Sequence, residues 1–167
     1  MKKLCLTISI AAFLLFLLNG VQAQTTQTKL DQVELLKQLL GTWKAEVAKD
    51  TSYVHEYTSF GNAIEGNIKG VTKGKVLFSV KQLWGYDKKN DKILGVELSN
   101  SSPEISLYSM WFTSKNICEG VVIQDITHPE NTTTKMKMEF KSPDLAILTF
   151  MENDKVVVTR TYTRVKK

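Results

Sequence analysis

From Thr42 to the C-terminus, apolar and polar residues alternate with a period of two, interrupted at short intervals by turn-forming residues. That is the period of strands with one buried face. Met136, Met138 and Phe140 share one side of such a segment, with Lys135, Lys137, Glu139 and Lys141 on the other. Val156, Val158 and Tyr162 likewise oppose Thr159, Thr161 and Thr163. The pattern predicts about ten strands, near 42–49, 52–60, 62–71, 75–86, 91–98, 104–113, 116–127, 132–141, 144–152 and 155–165. Hairpin-sized links such as Lys49-Asp50, Gly61-Asn62, Lys73-Gly74, Ser142-Pro143 and Asn153-Asp154 join them. None could hold a crossover helix, so the strand order is antiparallel and up-and-down. Closing such a sheet removes its exposed edges. The expected fold is therefore all-β: an antiparallel up-and-down barrel of about 8–10 strands, with a sandwich as the alternative.

Ahead of the strands the period changes to that of a helix. Leu30, Val33, Leu36, Leu39 and Leu40 make one apolar stripe, predicting a short helix over 29–40. Thr28 and Asp31 resemble a capping box, and Gly41 is placed to end the helix. A buried plug or flap is implied. Ile105, Leu107 and Trp111 oppose Tyr108, Met110 and Phe112, so that strand is apolar on both faces and its outer side calls for a cover. The helix is the candidate cover.

The N-terminus adds an export signal. Lys2 and Lys3 precede the apolar run Leu4–Leu18, and Val21-Gln22-Ala23 forms a small-residue cleavage site. The run falls short of the roughly 20 residues a membrane-spanning helix needs. Cys5 stands ahead of the run, where a lipid-modified cysteine would stand at its end. The expected organisation is a signal peptide over 1–23, a polar tail and short helix over 24–41, and a barrel domain over 42–167. The mature protein is expected to be secreted or periplasmic, without a stable membrane span. Cleavage leaves 144 residues, enough for one domain with one core. It also leaves 20 basic residues against 17 acidic ones, a formal charge of +3, which is no nucleic-acid signature. Cys118 is then the only cysteine, so no internal disulfide is available, and its apolar surroundings predict an unreactive buried thiol.

No catalytic motif is announced. Gly61, Gly66, Gly70 and Gly74 lack the Gly-Lys-Ser/Thr of a phosphate loop and suit turns and kinks in barrel strands. Glu119 and Asp125 share a strand face, but six residues at about 3.3 Å each hold them roughly 20 Å apart, too far for a carboxylate pair. Neither Gly-x-Ser-x-Gly nor His-Glu-x-x-His occurs. His55, between Tyr53 and Tyr57, and His128 have no companions at metal-ligand spacing, so no metal and no cofactor is expected. Asn100-Ser101-Ser102 and Asn131-Thr132-Thr133 match a glycosylation pattern but suit polar turn chemistry. A binding protein is the reading preferred over an enzyme.

Leu39-Leu40-Gly41-Thr42-Trp43 resembles the Gly-x-Trp signature of lipocalins and fatty-acid-binding proteins, and Arg160-Thr161-Tyr162 resembles the last-strand Arg-x-Tyr of the latter. Gly85-Tyr86-Asp87 with Lys88–Ile93 is similar to uncharacterised bacterial secreted lipocalin-like proteins. The resemblance implies a calycin barrel, apolar ligands, and an Arg-x-Tyr pair that grips a carboxylate. It departs from fatty-acid-binding proteins in having only a tight turn at Asp50-Thr51 where they carry a helical lid, and from lipocalins in lacking their Thr-Asp-Tyr motif and disulfide. Two uses of Arg160 are open. It could stack on Trp43 and bond backbone carbonyls to close the barrel, a role Arg164 could fill equally with Gly41. Alternatively, Arg160 and Tyr162 could anchor an anionic head inside. The expected ligand-binding set is Arg160, Tyr162, Trp84, Met136 and Met138, and the expected closure set is Gly41, Trp43 and Arg164. The leading expectation is an exported barrel carrying a small hydrophobic or amphiphilic molecule. The rival is a filled-core structural or protein-interaction module.

Overall fold

The computed structural model describes residues 29–166; the expected signal peptide, the tail before Lys29 and Thr28 lie outside the described residues. Ten antiparallel strands close into one barrel. They are β1 (Gly41–Ala48), β2 (Thr51–Phe60), β3 (Ala63–Thr72), β4 (Lys75–Asp87), β5 (Lys92–Ser99), β6 (Ile105–Ser114), β7 (Ile117–Ile123), β8 (Thr134–Ser142), β9 (Leu145–Glu152) and β10 (Lys155–Arg164). Each pairs with its sequence neighbours, and β10 returns to β1. This is the topology that hairpin-length links dictate.

The helical segment is shorter than its stripe predicts. It comprises α1 (Gln32–Leu36) followed by one 3₁₀ turn, Lys37–Leu39. Asp31 is the N-cap itself, accepting from the Glu34 backbone N–H at 2.9 Å. Gln32 fastens α1 to the barrel: its side-chain Oε1 accepts from the Phe112 N–H at 2.7 Å and its Nε2 donates to the Phe112 carbonyl. Leu36 and Leu39 are thereby buried across one end of the barrel. The segment is thus a plug and not a cover for the outer wall. Ile105 is 59% exposed, its cross-strand partner Leu98 is exposed as well, and so are Leu83 and Leu94 elsewhere on the outer wall.

Interior positions follow the pleat, filling the lower barrel with Trp43, Ile64, Trp84, Ile93, Phe112 and Phe140. Small residues make room for the rings. Gly66 lies under Tyr57, Gly70 under Phe78 and Gly95 under Trp84. Gly61 and Gly74 occupy turns at positive φ. The pleat is broken by bulges in β1 between Glu46 and Ala48, in β4 at Leu77, and in β10 between Val156 and Val158. The last of these corrects the expected face of Val156. Because Val157 is an extra residue, Val158 and Tyr162 point inward whereas Val156 is 63% exposed.

Candidate functional site

Two arginines of β10 have separate tasks. Arg164 closes the plugged end. Its guanidinium lies 4.1 Å over the Trp43 ring, and it donates to the carbonyls of Leu40, Gln38 and Pro143. The register that pairs Trp43 with Arg164 brings them together. Trp43 in turn donates its indole N–H to the Leu39 carbonyl at 2.7 Å. Gly41, at φ 109°, is where Arg164 passes, and a Cβ there would sit 2.7 Å from its Nη1. Gly41, Trp43 and Arg164 therefore form one cluster.

Arg160 stands elsewhere. Four residues earlier on the same face, it reaches inward to lie 4.6 Å over the Tyr53 ring of β2. Above the plug the barrel is hollow, enclosing about 240 Å³. Arg160, Tyr162, Trp84, Met136 and Met138 all line this cavity, with Leu148, Phe150 and Phe78 among the other apolar lining residues. For scale, an apolar cavity of roughly 150 Å³ already admits benzene. Among the described residues no carboxylate lies within ion-pairing distance of Arg160.

A hydrogen-bonded chain crosses the cavity from β10 to β5, and its direction follows from what each group can donate. The Trp84 indole can only donate, so the Gln82 atom it meets at 3.1 Å is the amide oxygen. That oxygen also accepts from the Tyr57 hydroxyl at 3.3 Å, leaving the Gln82 N–H₂ to donate to Glu97 at 2.6 Å. With its proton committed to Gln82, Tyr57 accepts from His55 Nδ1 at 3.2 Å. His55 Nε2 is then the bare nitrogen and accepts from the Tyr162 hydroxyl at 3.2 Å. Every member is satisfied. Burial, and secondarily the Arg160 charge, hold the His55 pKa down to about 4. Burial raises the phenols of Tyr57 and Tyr162, the latter opposed by Arg160.

The sign of the histidine shift fixes a pH dependence. The unfolded imidazole takes up a proton near 6.5 and the folded one only near 4. Stability from keeping His55 neutral is present in full above pH 6.5 and is lost as pH falls toward 4. The loss amounts to roughly 2–3 kcal/mol, allowing for the ring edge that faces the cavity. Urea unfolding between pH 7 and pH 4.5 should show that decline in the native chain and a flatter profile in His55→Gln; equal slopes would contradict it.

His55, Tyr57, Gln82, Glu97 and Tyr53 are the site residues that sequence reasoning did not assign. Gln82 and Glu97 carried a signal, being polar residues in phase with the inward Trp84 and Gly95 of their strands. Cys118 is buried, and burial pushes its thiol up to about 12, which leaves it unreactive. His128 bonds Asp125 and Thr127 in the 124–133 loop, outside the cavity. Among the described residues no three of His, Cys, Asp and Glu cluster to hold a metal ion, and no helix is long and apolar enough to cross a membrane. No protein-family model matches the chain, and no curated protein matches it in sequence.

Proposed function

We propose that the chain is an exported, lipocalin-like barrel that holds a small amphiphile, with the apolar body against Met136, Met138, Leu148 and Phe150 and an anionic head at Arg160, which Tyr162 holds in place. The observation that carries this reading is the division of labour on β10. Arg164 performs the closure, so Arg160 is left facing a hollow interior with an aromatic ring but no acid beside it. A partly desolvated guanidinium of this kind is costly until an anion joins it, and a bidentate carboxylate or phosphate matches its fork. Tyr162 lies two residues along the same face, and with its proton given to His55 its hydroxyl oxygen can accept from the Arg160 guanidinium and hold it toward the head. The cavity speaks against the filled-core alternative, whose interior would be solid. Export and the lipocalin relationship enter through the N-terminal pattern and the two end motifs. The arrangement offers binding contacts and no nucleophile, so carriage or sequestration is the activity proposed.

A fluorescent polyene fatty acid and its methyl ester test the reading together. The acid should bind more tightly than the ester, and Arg160→Ala should weaken the acid roughly 10- to 100-fold while leaving the ester unchanged, as expected for one hydrogen-bonded charge. Equal affinities for acid and ester, or no binding of either, would contradict it.

A further inference from the structure

Three hairpins carry aliphatic side chains into solvent at the end of the barrel remote from α1. In an unbroken strand, successive side chains alternate between core and solvent, so two exposed neighbours require a break in the pleat. The β4 bulge places Val76 and Leu77 outward together, 54% and 65% exposed, and the β10 bulge does the same for Val156 and Val157, 63% and 58% exposed. The β1 bulge turns out Val47. The strand order β9-β10-β1-β2-β3-β4 makes the three tips neighbours around the rim, and the Lys73 N–H donates to the Asp50 carbonyl at 2.8 Å to tie two of them.

The same tips are basic. Lys49, Lys73, Lys75 and Lys155 stand on them, and among the described residues none makes an ion pair. Of the nearby acids, Asp154 is paired with Lys135 and Glu46 with Lys44, which leaves Asp50 and Glu152. The opposite side of the rim is acidic: the 100–104 and 124–133 loops hold Glu104, Asp125 and Glu130 and no lysine. The rim is therefore polarised in charge; exposed aliphatics stand on both halves, with Leu98, Ile105 and Ile126 on the acidic one, but only on the basic half do they stand beside unpaired lysines.

Edge protection explains part of this pattern and not the rest. Strands β1 and β10 pair only at Trp43–Arg164 and Lys44–Thr163, so toward the remote end their edges are unpaired, and bulges there discourage strand addition. The Val76–Leu77 bulge has no such reason, since it lies inside the β3–β4 ladder and far from the seam. What the three bulges share is the outward aliphatic beside a lysine.

We propose that this basic half-rim docks onto an anionic phospholipid bilayer, with Val47, Val76, Leu77, Val156 and Val157 entering the headgroup boundary and the four lysines meeting the lipid charge. Short projecting tips that combine aliphatics with unpaired cations match a deformable anionic interface, which pairs apolar and charged contacts over the same few ångströms. A protein partner would be served better by a contiguous face than by three separate points. The inference goes beyond the ligand reading and does not rest on it, because none of the residues invoked lines the cavity.

Cosedimentation of the purified protein with vesicles tests it. The protein should pellet with vesicles of phosphatidylcholine mixed with phosphatidylglycerol, should not pellet with phosphatidylcholine alone, and should be released by salt. Lys73→Gln with Lys75→Gln should weaken binding roughly thirty-fold, and Leu77→Asp should abolish it. Leu94→Asp, on the outer wall away from the rim, should behave as wild type, with thermal unfolding confirming that every variant folds. Failure to pellet with the anionic vesicles would overturn the proposal and assign the tips to a protein partner. Unaltered binding in the lysine double variant, or equal loss in Leu94→Asp, would overturn it too.

Discussion

Arg164→Ala should cost about 3 kcal/mol of stability whereas Arg160→Ala should cost almost none, although both residues are arginines on the same face of the same strand. Arg164 holds three backbone carbonyls, one from the plug segment's end, one from Gln38 and one from the β8–β9 turn, while covering the Trp43 ring. Removing it leaves those carbonyls at a partly buried junction and uncovers the indole. A charged hydrogen bond contributes roughly 1.5–3 kcal/mol and a cation over an aromatic ring about 0.5–1 kcal/mol, and the three bonds share one anchor, so their losses do not simply add. Asp144, 3.5 Å from Arg164 Nε, is half-exposed and adds little. Arg160 makes the opposite case. Its stack on Tyr53 is offset by the cost of holding a guanidinium in the cavity without an acid, so alanine is close to neutral or slightly stabilising. Urea titrations of the two variants decide the matter, and equal losses would mean that the two arginines share the closure.

Gly95→Ala should be the more damaging of two formally identical changes, destabilising by about 2–3 kcal/mol, with Gly70→Ala well under half of that. In both, the new methyl would land within the space of an aromatic ring on the adjacent strand. The difference lies in what that ring can do. Trp84, against Gly95, is 4% exposed, surrounded by the core, and bonded to Gln82, so moving it opens the hydrogen-bonded chain as well as the packing. Phe78, against Gly70, is only half-buried, near the remote end, and can swing aside. Thermal unfolding gives the ranking, and the near-ultraviolet circular dichroism of Trp84 should change in Gly95→Ala alone. The reverse order of stability would contradict this account of the glycines.

Much of this architecture is legible from period and punctuation. The number of strands, their antiparallel order and the hairpin links follow from alternation between Thr42 and Arg164, because one buried face per strand leaves few other solutions. Which arginine serves which purpose is not legible in this way. Residues 160, 162 and 164 share a parity, and only the register pairing Trp43 with Arg164 decides that the later one reaches the tryptophan. The bulges are equally silent, since Val47, Leu77 and Val157 read as ordinary strand residues, and the misassigned face of Val156 follows directly from that. The apolar stripe continues through Leu39 and Leu40 and so predicts a longer helix than the chain forms. Tertiary contacts of Gln32 and Leu39 tighten its last turn to 3₁₀ and end it early. The polar chain from Tyr162 to Glu97 joins β10, β2, β4 and β5, and no local pattern announces a network whose members are brought together by closure of the sheet.

Native mass spectrometry of the purified protein, kept from detergent and compared with a delipidated sample, tests the central claim most directly. The expected result is a discrete bound mass of an anionic amphiphile that is lost on delipidation, restored by adding a fatty acid, and absent from Arg160→Ala purified in the same way. A single ligand-free mass in every sample, with no uptake of added fatty acid, would contradict it.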